Sequence, residues 1–151
     1  MSIGSQMLEP HKERRVLVVD DNDDVRTSLR LLLELDGHIV REAKDGPIAI
    51  KVLLTGEFEI AFLDLELPGI DGFEVARQIR RTDAGRCISL VAVSGYATDR
   101  HHDNAIDAGF DEFMPKPADP NILATLVNDP PRIVSSPADI ERGSQPELKH
   151  P

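Results

Sequence analysis

Five short runs rich in Val, Ile, Leu and Phe recur along this sequence, and their rhythm constrains the fold more than any other feature. They fall at Arg15 to Asp20, His38 to Arg41, Phe58 to Leu63, Ile88 to Val93 and Phe110 to Met114. Runs such as Val16 to Val19 are apolar at consecutive positions rather than alternate ones. A strand covered on both faces requires that, because neither side of it meets water. Between the runs lie segments with helical spacing, clearest at Val25, Leu29, Leu32 and Leu33, which share one helix face. Strand and helix therefore alternate, and the pattern predicts a central parallel sheet.

Turn and cap residues support the same division. Gly37 follows the first helix, Gly46-Pro47 opens the second with proline in its first turn, Gly109 follows the fourth, and Asp119-Pro120 caps and starts a fifth. The fourth helix, about Thr98 to Ala108, keeps only Ala105, Ile106 and Ala108 as an apolar face, so its packing is expected to be the weakest and the helix itself the moving part. Residues 1–13 read as a loose arm and 14–128 as one domain. After Asn128 the pattern stops and five of the eleven prolines follow, so 129–151 reads as a disordered tail.

Composition narrows the function. A chain of 151 residues, 40% hydrophobic, is the size of one domain with a real core. Its formal net charge of -10 argues against a nucleic-acid or anionic-lipid surface, which needs clustered Lys and Arg. The single Cys87 forms no internal disulfide, and no apolar stretch approaches the roughly 20 residues of a membrane span. With no secretory signal in Met1 to Arg15, the chain is expected to be cytoplasmic, with neither membrane nor nucleic acid as a partner.

Acidic residues end two of the runs, Val18-Val19-Asp20-Asp21 and Phe62-Leu63-Asp64. In a parallel sheet the carboxyl ends of neighbouring strands form one edge, so three carboxylates are expected to meet there. Two carboxylates about 4 Å apart repel by roughly 4 kcal/mol at an effective dielectric near 20. A hard divalent cation offsets that, and Mg²⁺ suits a site of few carboxylates plus phosphate oxygens, with Asp21 and Asp64 the preferred ligands. Taken singly, an acid after a strand is more often a helix cap or loop charge. The same edge receives Ser94 after the fourth run and Lys116 after the fifth, a hydroxyl and an ammonium suited to phosphoryl oxygens. Alone, the first reads as a turn residue and the second as a solvated charge.

Together the segments Val18-Val19-Asp20-Asp21-Asn22, Leu63-Asp64-Leu65-Glu66-Leu67-Pro68-Gly69, Val93-Ser94-Gly95-Tyr96 and Pro115-Lys116-Pro117 resemble the response-regulator receiver domains of two-component systems, over about Arg14 to Asn128. The resemblance implies an α/β, flavodoxin-like, doubly wound sheet of five parallel strands in the order 2-1-3-4-5, with five helices. It implies a phosphorelay switch rather than an enzyme acting on other substrates. Asp64 would accept a phosphoryl group from a histidine kinase or phosphotransfer protein. Asp20, Asp21, Asp64 and the backbone carbonyl of Glu66 would hold Mg²⁺, Lys116 would pair with the phosphate, and Ser94 would swing to bond it. Phe113 would be the aromatic switch residue, against the plainer reading of a core aromatic. An unidentified downstream protein would read the changed surface, and Lys116-Pro117 is a candidate cis peptide on the same grounds. The resemblance fits a stand-alone regulator or a receiver belonging to a hybrid histidine kinase.

Rival readings remain at this level. Asp21-Asn22-Asp23-Asp24-Val25 fits the loose pattern of a haloacid-dehalogenase-like phosphatase, with Asp21 as nucleophile and Asp23 as acid, but leaves Asp64 without a role. A degenerate receiver acting as an unphosphorylated binding module is disfavoured by the intact set of acids, Ser94 and Lys116. A calcium loop starting at Asp20 fails at Val25 and Leu31, where glycine and glutamate are required. His101-His102 reads as a solvated face, since adjacent helix residues point apart.

Overall fold

All five apolar runs become strands, and in the computed structural model, which describes residues 12–96 and 98–131, they form one parallel sheet. The elements are β1 Arg15–Val19, α1 Asp23–Leu35, β2 Ile39–Ala43, α2 Gly46–Leu53, β3 Ile60–Asp64, α3 Gly72–Arg80, a 3₁₀ turn at Ala84–Cys87, β4 Ser89–Ser94, α4 Asp99–Ala108, β5 Glu112–Pro115 and α5 Pro120–Asn128. The order is β2-β1-β3-β4-β5, every pair parallel, which is the flavodoxin-like arrangement. The proposed arm, 1–13, and tail, 129–151, lie mostly outside the described residues.

The consecutive apolar positions are explained by the two cores. Leu17, Val19, Ala61, Leu63, Leu90 and Ala92 face α2, α3 and α4, meeting Leu53, Val75, Ile79 and Ala105. Val16, Val18, Ile60, Phe62, Val91 and Val93 face the other way, meeting Leu29 and Leu33 of α1 and Leu123 and Val127 of α5. Each helix begins with a side chain that caps a free backbone N–H: Asn22, Asp45, Asp71, Thr98 and Asp119.

The strand bounds differ from the sequence reading in one consistent way. Four strands start one or two residues later than their apolar runs. The early residues Phe58, Ile88 and Phe110 are buried without being in a strand, so their apolar character reports burial in the core and not pairing. At the other end, β3 and β4 run through Asp64 and Ser94, which are therefore the last strand residues, while β1 stops short of Asp20. In α4 only Ala105 and Ala108 are buried; Ile106, expected on the inner face, is 44% exposed. Two alanine side chains make a thin contact, and Gly109, at φ 118°, ends the helix in the left-handed conformation.

Candidate functional site at the carboxyl edge of the sheet

The strand order reverses at β1, and there the carboxyl ends of β1 and β3 lie side by side. Asp20 follows β1 and Asp64 closes β3; each is 2% exposed, while Asp21 is exposed. Ligating oxygens of all three carboxylates lie within 4.8 Å of one another, the grouping of that kind found among the described residues. Lys116, just past β5, reaches between the two buried acids, its Nζ 3.0 Å from Asp20 Oδ2 and 3.3 Å from Asp64 Oδ2. The peptide bond after it, to Pro117, is cis, as the resemblance implied.

Backbone geometry holds these acids in place. Asn22 N donates to Asp20 Oδ1 at 2.9 Å, and Glu66 N donates to Asp64 Oδ1 at 3.0 Å. Arg26 Nη1 donates to the carbonyl of Asp20 at 2.7 Å, while its other nitrogens bind Glu42 and Asp23. Asp23 is thus an ion-pair partner on the first turn of α1, which removes it from the acid role that the phosphatase reading assigned. At the start of α3, Gly72 packs so closely on the backbone of Asp64 and Leu65 that a Cβ would collide with it. The loop after β3 therefore closes tightly onto the strand end.

Burial pushes the Asp64 carboxyl up to about 6, and the negative charge of Asp20 adds to this; the Glu66 N–H and the Lys116 ammonium oppose the rise without cancelling it. For Lys116, burial is the largest single influence and favours the neutral amine. Its hydrogen bond to Asp20 and the charges of Asp64 and Asp20 together outweigh burial, so its pKa is raised and the ammonium persists. Three carboxylates against one ammonium leave two negative charges, which one divalent cation would cancel. The donors are all hard oxygens, so the residues present fit Mg²⁺.

Ser94 is fully buried at the end of β4, and its hydroxyl is already engaged. It donates to Glu66 Oε2 at 2.8 Å and accepts from Tyr96 N at 3.0 Å. The same Glu66 oxygen lies 3.0 Å from His101 Nε2. Phe113 is half-buried on β5, with its ring 6.3 Å from that of His101 and 5.5 Å from that of His102. The sequence reading of His101-His102 as a solvated face holds for His102 and fails for His101, whose side chain is 24% exposed and packs edge-on against Phe73 at 5.3 Å. Adjacent residues do point apart on a helix, and here one of the two points at the site. The side chains of Glu66, His101 and Arg26 were not identifiable from spacing, because their partners come from other strands and helices.

A family model described as a response regulator receiver domain matches residues 16–128. The transcriptional regulatory protein ResD of Bacillus subtilis is 36% identical over 120 residues, covering 80% of this chain and 49% of ResD. An uncharacterized 14.6 kDa protein of Leptolyngbya boryana is 34% identical over 112 residues, covering 74% of this chain and 86% of that one. The chain thus spans about half the length of ResD. Among solved structures, the receiver domain of the sensor histidine kinase PA1611 from Pseudomonas aeruginosa, with a magnesium ion coordinated in its active site cleft, aligns with a TM-score of 0.71. Its identity is 25%, over 76% of this chain and 94% of that one.

Proposed function

Because the chain belongs to the response-regulator receiver family of two-component signalling, we propose that it is a phosphorelay switch that accepts a phosphoryl group on Asp64 from a phosphohistidine donor in a Mg²⁺-dependent reaction. The observation that carries this reading is the buried pair Asp20 and Asp64 sharing the Lys116 ammonium, with the exposed Asp21 completing a group of three carboxylates against that one ammonium.

Asp20, Asp21 and Asp64, with the backbone carbonyl of Glu66, would hold the ion. Bound there, Mg²⁺ supplies positive charge for the carboxylates and for the phosphoryl oxygens. Lys116 favours the ionised form of Asp64, and its ammonium is placed to pair with an incoming phosphoryl oxygen. A carboxylate oxygen of Asp64 forms the new P–O bond while the P–N bond of the donor breaks, its electron pair returning to the donor imidazole. Ser94 then turns its hydroxyl to donate a hydrogen bond to a phosphoryl oxygen. The donor is a histidine kinase or a phosphotransfer protein, and the chain acts on no further substrate. An open apolar cleft of about 440 Å³ beside Lys116, lined by Val25, Leu29, Leu32, Pro117 and Ala118, supports docking of a donor protein next to the site. Phe113 borders a second cleft with Ile122 and Leu126, which supports a role in reporting the phosphorylated state to a downstream protein.

Intact-mass measurement after incubation with acetyl phosphate and Mg²⁺ tests the reading. The parent is expected to gain one phosphoryl group; Asp64→Asn, and the parent with a chelator, are expected to gain none. An unchanged parent, or an equal gain in the mutant, would overturn it.

A further inference from the structure

One oxygen atom joins three parts of the molecule. Glu66 Oε2 lies 2.8 Å from Ser94 Oγ on β4 and 3.0 Å from His101 Nε2 on α4. A carboxylate accepts and does not donate, so both neighbours direct a hydrogen at it. Ser94 has a single hydroxyl proton, and Tyr96 N already donates to the same oxygen atom. While Glu66 holds that proton, Ser94 has none to offer a phosphoryl oxygen. His101 in turn sits among Phe73, Tyr96 and Phe113, at ring separations of 5.3, 6.0 and 6.3 Å, so whatever moves Glu66 also frees a ring packed on the β5 aromatic.

We infer that Glu66 and His101 form a latch that holds Ser94 and the first turn of α4 in their unphosphorylated arrangement, and that the phosphoryl group works by breaking it. The inference rests on the proposed phospho-acceptor role of Asp64 and assigns positioning roles to two residues beside it. A phosphoryl group adds about 1.5 to 2 negative charges and three acceptor oxygens two residues from Glu66. It competes for the Ser94 proton and repels the Glu66 carboxylate at once. Losing Ser94, Glu66 also loosens from His101, and α4 has only two buried alanines to hold it elsewhere. The latch therefore sets how much of the phosphoryl interaction is offset by opening the site, and weakening it favours the phosphorylated arrangement.

Beryllofluoride, a phosphoryl-like anion, provides the probe, with its apparent affinity in saturating Mg²⁺ measured by NMR titration. Glu66→Ala is expected to bind it roughly tenfold more tightly than the parent, the scale of one charge-assisted hydrogen bond. Removing the Glu66 charge alone would also tighten binding, so His101→Ala decides between the two causes. If charge alone matters, stripping His101 from Glu66 leaves the carboxylate less compensated and weakens binding. The latch requires the opposite, a severalfold tightening in His101→Ala with Mg²⁺ affinity unchanged. The double variant should match Glu66→Ala, because His101 acts through Glu66. In the parent, the His101 ring resonances should shift on saturation. Weaker or unchanged binding in His101→Ala, additive effects in the double variant, or a stationary His101 resonance would each overturn the latch while leaving the acceptor reading intact. A parent that binds no beryllofluoride with Mg²⁺ would overturn both.

Discussion

Asp64 is almost wholly buried, yet the proposed acceptor role requires it ionised, and the two demands oppose each other. In the folded protein without metal its pKa lies at about 6 rather than 3.8. Between those values the folded chain holds a proton on Asp64 that the unfolded chain has lost. Stability linked to this group is therefore full below about pH 3.8 and is lost as pH rises through about 6, the total being roughly 3 kcal/mol. Asp64→Asn removes the ionisation with almost no change of side-chain shape. With a chelator at pH 7.5, the mutant is expected to melt above the parent, and the gap should narrow as pH falls through 6. Adding Mg²⁺ should raise the melting temperature of the parent and not that of the mutant. A mutant that melts below the parent at pH 7.5 in chelator would mean that the pairing with Lys116 outweighs burial. At this scale the sequence pointed to Asp20, Asp21, Asp64, Ser94 and Lys116, because they stand at or just past the ends of four apolar runs. It concealed the side-chain partners. The Glu66 to Ser94 contact joins the turn after β3 to the end of β4, 28 positions apart, and no local spacing encodes it.

Between elements, Arg80, the last residue of α3, is a densely connected side chain away from the site. Its guanidinium donates to the carbonyls of Gly85, Ile88 and Gly109 at 2.6, 2.7 and 2.8 Å and pairs with Asp111 Oδ2 at 2.7 Å. Asp111 also accepts from Leu90 N at 2.8 Å. One residue thus ties α3 to the 3₁₀ turn, to the entry into β4 and to the connection into β5. Both side chains are largely buried, 15% and 12% exposed, so removing either one takes a close counter-charge from the other. Arg80→Met is expected to cost about 3 to 5 kcal/mol in urea unfolding. Arg80→Met with Asp111→Leu should recover part of that, since the buried carboxylate that lost its close cation is gone as well. Equal losses in the single and double variants would show that the backbone hydrogen bonds, not the ion pair, dominate. The helix faces were legible wherever leucine and valine recurred with helical spacing, as at Leu29 and Leu33. Ile106 misled because an isolated isoleucine on a polar helix satisfies the pattern without reaching the core.

For the whole molecule, the alternation of apolar runs and helical segments was enough to require a parallel sheet covered on both faces, but not to order its strands. Hydropathy is the same whichever neighbour a covered strand pairs with, so the order 2-1-3-4-5 came from the resemblance and was then found in the sheet. The domain limits, 14 to 128, stand on the end of the apolar pattern, and one contact supports them. Arg14, just before β1, donates from Nε to the carbonyl of Val127 at 2.7 Å and from Nη2 to that of Asn128 at 3.3 Å, fastening the start of the domain to the end of α5. Its own N–H donates to His38 Nδ1 at 3.1 Å, where the chain enters β2. We propose that a domain closed in this way needs little from beyond its fastened ends, where the buried Pro130 and the Lys12–Glu59 ion pair at 3.8 Å are the nearest flanking contacts. The chain cut to residues 12–131 is therefore expected to unfold with a midpoint within about 2 °C of the full chain, the scale of a peripheral change of about 0.5 kcal/mol. Acetyl phosphate should label it to the same extent. A drop of several degrees that Arg14→Ala reproduces in neither size nor salt dependence would place stabilising contacts in the removed segments and move the domain boundary outward.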